Sequence, residues 1–145
     1  MKNIILLLLP LIILSCGTDQ GEGKTYHYTV KNESGKSISI KAFKTSYPSV
    51  NDPRTTLLDI GEELSKTYKT PPPPPVEIYS FESFFEGDSI VVTYANEKYQ
   101  TFISNGCNGG ETNPLNRCIY GSKVELFTFT EEDYENAEDC DVNCD

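Results

Sequence analysis

The chain has 145 residues, no tryptophan, one methionine and a formal net charge of −10. Binding to nucleic acid needs a clustered positive field, so this acidic balance excludes a nucleic-acid ligand and disfavours direct adhesion to anionic lipid head groups. The same charge suits solubility and a cationic partner, and the length is enough for one domain with its own core.

Residues 1–15 are predicted to be an export signal. Lys2 gives a positive start, and Ile4 to Leu14 is an apolar run interrupted only by Pro10. A helix needs about 20 residues to span the hydrocarbon core of a bilayer, so this run has the length of a signal-peptide hydrophobic region instead.

Ile13-Leu14-Ser15-Cys16 closes that run with an aliphatic residue at minus three and a small residue before a cysteine. The segment resembles the bacterial lipobox, which implies cleavage before Cys16 and acylation of this residue. Each buried methylene of an acyl chain contributes about 0.8 kcal/mol, and two or more chains give stable anchoring. Residues 16–24 are therefore expected to be a lipidated cysteine and a flexible tether. The alternative, a plain signal with an incidental cysteine, would leave a lone thiol near the terminus.

Residues 25–145 are predicted to form a single domain that begins with two alternating segments. Tyr26 to Lys31 alternates apolar and polar residues, and Ser37 to Lys44 resumes the alternation after the turn residues Asn32 to Gly35. A period of two indicates half-buried strands, and the turn between them predicts an antiparallel hairpin.

The middle of the chain predicts short strands and a rigid spacer. Thr55 to Ile60 and Leu64 to Tyr68 are two further strand candidates about Gly61. Pro71 to Pro75 must adopt extended polyproline II, about 3.1 Å per residue, and cannot be a central strand. A rigid spanning loop is favoured there over a ligand for an aromatic groove. Val76 to Phe85 predicts either a strand or a short buried turn.

The second half predicts further strands. Asp88 to Tyr94 is the clearest of them, and its apolar residues on both faces indicate a central position. Tyr99 to Ser104 follows after a turn, and Asn105 to Arg117 is a glycine- and asparagine-rich loop. Ile119 to Tyr120 predicts a short strand, and Lys123 to Thr130 a well-buried one.

A short helix is expected near the end of the chain. Thr130 and Asp133 have the spacing of a capping box, and the acids around them suit the first turn of a helix, here Glu131 to Ala137. Seven or eight short strands with little helix predict a mainly β fold, an antiparallel β-sandwich with a short C-terminal helix. The acidic tail is expected to be solvated apart from its cysteines.

Besides Cys16 the chain has Cys107, Cys118, Cys140 and Cys144. An even number of cysteines in an exported chain indicates disulfides. We favour Cys107–Cys118, which closes one loop, and Cys140–Cys144, which closes the tail; the rival pairing, which pins the tail onto the first loop, stays open. A four-thiolate zinc site is disfavoured, because neither spacing is a CxxC and the compartment is oxidising.

From Asp88 onward, the segments DSIVVTYANEKYQTF, NPLN and KVELFTFTEEDYENA, together with the lipobox, resemble a group of short, uncharacterised Gram-negative envelope lipoproteins. The resemblance covers the last half of the chain and the signal. It implies a β-sandwich anchored in the bacterial envelope, at the outer membrane, and it implies no catalytic residue. The proline run and the pair Cys140 and Cys144 depart from the pattern of the group.

The sequence carries no recognisable catalytic constellation. His27 is the only histidine, and between two tyrosines on a predicted strand it is expected to be a surface or packing residue. No GxSxG, P-loop or HExxH motif is present. Asp139, Asp141 and Asn143 have the spacing that opens an EF-hand, but Cys144 stands where that loop needs glycine, so only a weak calcium contact remains conceivable.

We therefore expect no enzyme, no cofactor and no resident metal. The expected function is a membrane-anchored, non-enzymatic module that binds an envelope protein or helps to assemble a complex. One alternative is glycan or small-ligand binding through exposed tyrosines and the Asn105–Arg117 loop. Against it, tryptophan is absent and most aromatics fall at core positions. Another alternative is an inhibitor or protective factor whose acidic, disulfide-bearing surface blocks a cationic enzyme.

Overall fold

The computed structural model describes residues 22–45, 53–72, 79–107, 109–141 and 144. In chain order their strands and helices are β1 Thr25–Glu33, β2 Ile38–Phe43, β3 Arg54–Leu58, β4 Glu63–Lys69, α1 Phe81–Phe85, β5 Ser89–Tyr94, β6 Lys98–Ile103, β7 Val124–Thr130, α2 Glu131–Asn136 and β8 Glu138–Asp139. The predicted signal, Cys16 and most of the tether lie outside the described residues, as do Pro73 to Pro75 of the proline run. Within the described ranges no helix combines the length and the apolar character that crossing a bilayer would require.

The strands form two sheets, and this confirms the predicted mainly β fold. The three-stranded sheet has the order β4-β1-β7, and the five-stranded sheet has the order β3-β2-β5-β6-β8. β5 is central in its sheet, as its two apolar faces predict. Every pair of neighbouring strands is antiparallel except β1 and β7, which run parallel with Val30 opposite Phe127.

The predicted hairpin between the first two strands is wrong, because β1 and β2 lie in different sheets. β1 pairs with β4 and β7, whereas β2 pairs with β3 and β5. Residues 34–37 therefore cross from one sheet to the other, and residues 59–62 cross back between β3 and β4. Alternation with a period of two indicates a half-buried strand, but it does not specify which strand is the neighbour.

A fully buried asparagine, Asn32, joins the two crossovers. Its side-chain Nδ2 donates hydrogen bonds to the carbonyl oxygens of Lys36 at 2.8 Å, Leu58 at 3.1 Å and Asp59 at 3.0 Å. Its Oδ1 accepts from the backbone N–H of Ser34 at 3.1 Å and from the Ser34 hydroxyl at 2.7 Å. Because a buried amide must be hydrogen-bonded, this side chain holds both crossovers in one arrangement.

Aromatic side chains fill much of the space between the sheets. In the segment predicted as a strand or a buried turn, Phe81–Phe85 form the short helix α1, which buries Phe81, Phe84 and Phe85. The ring of Phe81 is in contact with the rings of Tyr28, Phe84, Phe85, Tyr120 and Phe127, at centroid distances of 5.2 to 6.2 Å. Burial raises the pKa of Tyr28 to about 12, so its hydroxyl remains a hydrogen-bond donor at neutral pH, and it donates to the carbonyl oxygen of Tyr79 at 2.5 Å.

Two predictions about the region before α2 are corrected. Ile119 and Tyr120 lie in a turn and not in a strand. β7 buries Phe127, but Val124 is 71% exposed and Leu126 is 56% exposed. The strand is covered on one face only, as β1 beside it is, because only one side of the smaller sheet packs against the core. The capping box of α2 is confirmed: the Asp133 N–H donates to Thr130 Oγ1, and the Asp133 carboxylate accepts from the Thr130 N–H.

Replacing Asn32 with aspartate should destabilise the fold by about 3 kcal/mol or more, since it removes the amide donors and faces three carbonyl oxygens with a carboxylate. Urea unfolding at pH 7 measures the effect. Asn136→Asp makes the same chemical change at an exposed position and should cost no more than about 0.5 kcal/mol. Equal losses in the two variants would contradict the role of Asn32.

Candidate functional site

One side of the five-stranded sheet packs on the core, and we call its other side the open face. Because side chains alternate along a strand, the open face carries two side chains from β3 and three each from β2, β5 and β6. They are Thr55, Leu57, Ser39, Lys41, Phe43, Ser89, Val91, Thr93, Tyr99, Thr101 and Ile103. Lys41 is the single charged member of this set, in a chain whose net charge is −10, and Glu138 of β8, which pairs with Tyr99, adds one carboxylate at the edge of the same face.

One row of side chains crosses the whole open face. The strand register places Leu57 beside Ser39, Ser39 beside Thr93 and Thr93 beside Tyr99, which in turn pairs with Glu138 of β8. Leu57 is 72% exposed, whereas Thr93 is buried between its neighbours. The Tyr99 hydroxyl donates to the Glu138 carboxylate at 2.7 Å, and this hydrogen bond raises the pKa of Tyr99. The row thus runs from an exposed apolar side chain to a tyrosine that is held by a carboxylate.

Two shallow depressions lie side by side on the open face. The first has a volume of about 500 Å³ and is lined by Leu57, Lys41 and Thr93, among others. The second has a volume of about 530 Å³ and is lined by Tyr99 and Thr101, among others. Both are open to solvent along their length. Small-molecule sites usually surround most of their ligand, so this shape suits contact with a macromolecule better.

The acidic tail forms the rim of the second depression. Cys140 is disulfide-bonded to Cys144, and their backbone N–H groups donate to the Glu97 carbonyl at 3.0 Å and to Asn96 Oδ1 at 3.1 Å. Glu138–Asp139 extends the sheet as β8 on the edge of β6. The side chains of Glu138, Asp139 and Asp141 are exposed, whereas Cys140 and Cys144 are half-buried, in line with a tail predicted to be solvated apart from its cysteines.

The turn between β5 and β6 forms part of the rim of the first depression. Two of its residues have left-handed backbone conformations. Ala95 has φ of 47° and Asn96 has φ of 60°, as in the two-residue turns that fit the twist of a hairpin. For a residue with a Cβ atom this conformation costs about 1 kcal/mol or more, and asparagine tolerates it better than alanine does. Ala95 is held there because its N–H donates to the Ser37 carbonyl at 2.8 Å.

A charged cluster fixes the same turn to α2. Lys36 Nζ lies 2.8 Å from the Glu97 carboxylate, which also accepts a hydrogen bond from the Tyr134 hydroxyl at 2.8 Å. The Tyr134 ring lies 5.0 Å from the ammonium group of Lys36 and 5.3 Å from that of Lys98. The hydrogen bonds with Glu97 raise the pKa values of Lys36 and Tyr134. These groups satisfy one another, so the cluster positions the rim and offers no reactive group.

The loop that the glycan hypothesis would use is folded onto the domain. Leu115 is 1% exposed and belongs to the core. The side-chain amide of Asn113 donates to the Ile103 carbonyl at 3.1 Å, and that of Asn116 donates to the Gly110 carbonyl at 3.1 Å. The Asn113 amide thus binds strand β6 and the Asn116 amide binds the loop itself, so both are engaged within the domain.

An ion pair attaches this loop to α1. Arg117 donates two hydrogen bonds to the Glu82 carboxylate, one of them from Nε at 2.7 Å, and the Ser104 hydroxyl donates to the same carboxylate. Burial acts to raise the pKa of Glu82, but the hydrogen bonds from Arg117 and Ser104 outweigh burial and hold it below its usual value. The disulfide between Cys107 and Cys118 closes the loop around this contact.

The remaining sequence candidates do not come together. Both disulfides follow the pairing that the sequence favours. His27 lies on the outer side of the smaller sheet, where Nδ1 is 3.0 Å from Thr67 Oγ1. Across the described ranges, no three histidine, cysteine or carboxylate side chains are grouped so that they could hold a metal ion. Cys16 and Asn143 lie outside the described residues.

No protein-family model, curated protein or solved structure matches this chain.

The open face was not predicted from the sequence, although the sequence contained a signal for it. The outward positions of β2, β5 and β6 are mainly serine, threonine and tyrosine, whereas an ordinary solvated face in so acidic a chain would carry many charges. Recognising that these positions form one surface requires the strand register, which brings four separate segments together.

Replacing Glu82 with glutamine should lower the free energy of unfolding at pH 7. Because the folded pKa of Glu82 lies below its unfolded value of 4.5, its contribution is complete above that pH and is lost as the pH falls through the folded pKa. The difference between wild type and Glu82→Gln should therefore shrink below about pH 4.5, as measured by urea unfolding from pH 7 to pH 3. Glu111→Gln, the same change at an exposed position, should have little effect throughout. A pH-independent difference for Glu82→Gln would contradict this assignment.

Proposed function

We propose that this chain is a bacterial envelope lipoprotein, anchored by acyl chains on Cys16, whose β-sandwich binds a protein partner through the open face. It is a non-enzymatic interaction or assembly module at the outer membrane. The observation that carries the proposal is the nearly uncharged open face of a strongly acidic domain.

The interior of the domain supports a function at the surface. Among the described residues, every buried side-chain nitrogen or oxygen has a hydrogen-bond partner. Buried polar groups that wait for a substrate are often left unsatisfied in the free protein, because the ligand completes their hydrogen bonds. In the core of this domain, the hydrogen bonds of the described polar groups are made without a ligand.

The composition of the open face matches the centre of a protein interface. Charged residues are depleted at the centre of interfaces and aromatic residues are enriched there. On the open face Tyr99, Phe43, Leu57 and Ile103 are interspersed with hydroxyl side chains, and the last two are more than half exposed. Scattered exposed apolar residues are ordinary on a protein surface, but here they share one sheet face with only Lys41 and, at its β8 edge, Glu138 as charged side chains.

The size of the open face indicates which chemical groups the contact surface of the partner must have. Strand spacing and rise per residue make it roughly 20 Å by 20 Å. This is about half of the roughly 800 Å² that each partner contributes to a standard interface. The rims must therefore contribute as well, and they carry Asp59, Glu138, Asp139 and Asp141. The best-fitting partner has a contact surface with an apolar, hydroxyl-bearing centre and a cationic periphery. A cationic enzyme that this protein inhibits would also fit this description.

Replacing Cys16 with alanine should leave unlipidated and uncleaved precursor in the envelope, because the residue that would be acylated and become the first mature residue is gone. Fractionation of the envelope, with metabolic labelling by a palmitate analogue, measures both properties. Ser15→Ala keeps a small residue before the cysteine and should be lipidated like wild type. If Cys16→Ala fractionates and migrates like wild type, the anchor assignment is wrong.

Replacing Leu57 with glutamate should remove the partner from a mild-detergent pull-down of the tagged lipoprotein, because it places a carboxylate at the end of the central row. Ser65→Glu is the control: Ser65 is exposed and lies on β4 of the opposite sheet. Retention of the partner by Leu57→Glu would refute the open face as the binding surface. If no protein is recovered in fixed ratio with wild type and a glycan panel alters tyrosine fluorescence, the ligand is a glycan.

A further inference from the structure

β7 is an edge strand without the usual protection of an edge. Within the described part of the chain it pairs with β1 and has no strand on its other side. Edge strands commonly carry lysine, arginine or proline, which prevent another strand from pairing. β4 carries Lys66 and Lys69, and β3 begins with Arg54, whereas Val124–Thr130 contains none of these residue types.

Along this edge the backbone of β7 has N–H and C=O groups that no described residue pairs with. The N–H of His27 in β1 donates to the carbonyl of Lys123 at 2.7 Å. In a parallel ladder the bonds recur every second residue, so the odd-numbered residues of β7 face β1. The N–H and C=O groups of Val124, Leu126 and Thr128 therefore point to the open edge. The side chains of the first two are exposed beside it.

An acidic cleft of about 300 Å³ runs along the later part of β7. The strand forms one wall with Phe127 and Thr128, and the opposite wall includes Glu111. Glu132 of α2 also lines the cleft, and its described lining contains no lysine or arginine. Lys123, the nearest lysine in sequence, precedes β7 at the other end of the strand.

We propose that the open edge of β7 accepts an extended, lysine- or arginine-bearing segment of a partner protein as a fourth strand of the smaller sheet. The backbone groups of Val124, Leu126 and Thr128 would supply the ladder, and this mode of recognition needs little side-chain specificity. Glu111 and Glu132 select a basic segment by charge. A second copy of this chain fits less well, since two β7 edges would bring the acids of both copies together.

This surface is on the sheet opposite the open face, so the two surfaces can be tested separately. The probe is a fluorescent ten-residue peptide of alternating lysine and valine, added to the full lipidated chain in a non-ionic detergent and followed by fluorescence anisotropy. A lysine–proline peptide of equal charge cannot form a ladder, and a glutamate–valine peptide reverses the charge. We expect the lysine–valine peptide to bind at least about tenfold more tightly than either of the others.

A matched pair of variants locates the binding site. Leu126→Lys places a cation at the edge and should weaken binding at least about tenfold, whereas Ser65→Lys places the same charge in the same row of the sheet on β4 and should change it less than about twofold. Leu57→Glu should leave peptide binding intact, which separates this test from that of the open face.

Four results would overturn the proposal. They are equal binding of the lysine–proline peptide, an equal effect of Ser65→Lys, no binding of the lysine–valine peptide, and a dimer that Leu126→Lys dissociates. The last result would identify a second copy of the chain as the occupant of the edge.

Discussion

The two sheets of this sandwich depend on Asn32, the buried amide at the point where the chain passes between them twice. Its side chain binds both crossovers, and its backbone binds the second one again: its N–H donates to the Glu62 carbonyl at 3.0 Å, and its carbonyl accepts from the Gly61 N–H at 2.7 Å. Gly61 can serve there because its φ is +77°. Because all hydrogen bonds of this buried amide are made with the two crossovers, it fixes the path of the chain between the sheets. That path places β2 and β3 in the larger sheet and returns β4 to the smaller one.

Aromatic packing then completes the interior. With no tryptophan and no methionine beyond the first residue, phenylalanine and tyrosine provide most of the large core side chains. Phe81 lies at the centre of their contacts, and the loop between β6 and β7 folds against the same helix through the ion pair of Glu82 and Arg117. Among the described residues, every buried side-chain nitrogen or oxygen has a hydrogen-bond partner.

The surface is divided by charge. The open face has two charged side chains, Lys41 and, at its β8 edge, Glu138, while further acids line its rims and the cleft beside β7. An uncharged centre with an acidic periphery favours contact by a partner that is itself basic at its periphery, and acidic walls beside an open edge favour a basic strand. Both proposed surfaces would therefore suit cationic partners, and their position on opposite sheets would allow the domain to contact two segments at once.

The sequence by itself determined the type of most elements, because alternation and capping act between near neighbours. The strand Asp88 to Tyr94 and the capping box of Thr130 and Asp133 are local patterns, and both are present in the structure. The lipobox likewise remains a prediction of the sequence. Only the tertiary structure decided that β1 pairs with β7 and not with β2, and that Val124 is exposed. The reason is that the apolar–polar alternation along a strand is the same whichever strand pairs with it. Register and sheet order come from long-range contacts such as those of Asn32, and both proposed surfaces exist only once that order is set.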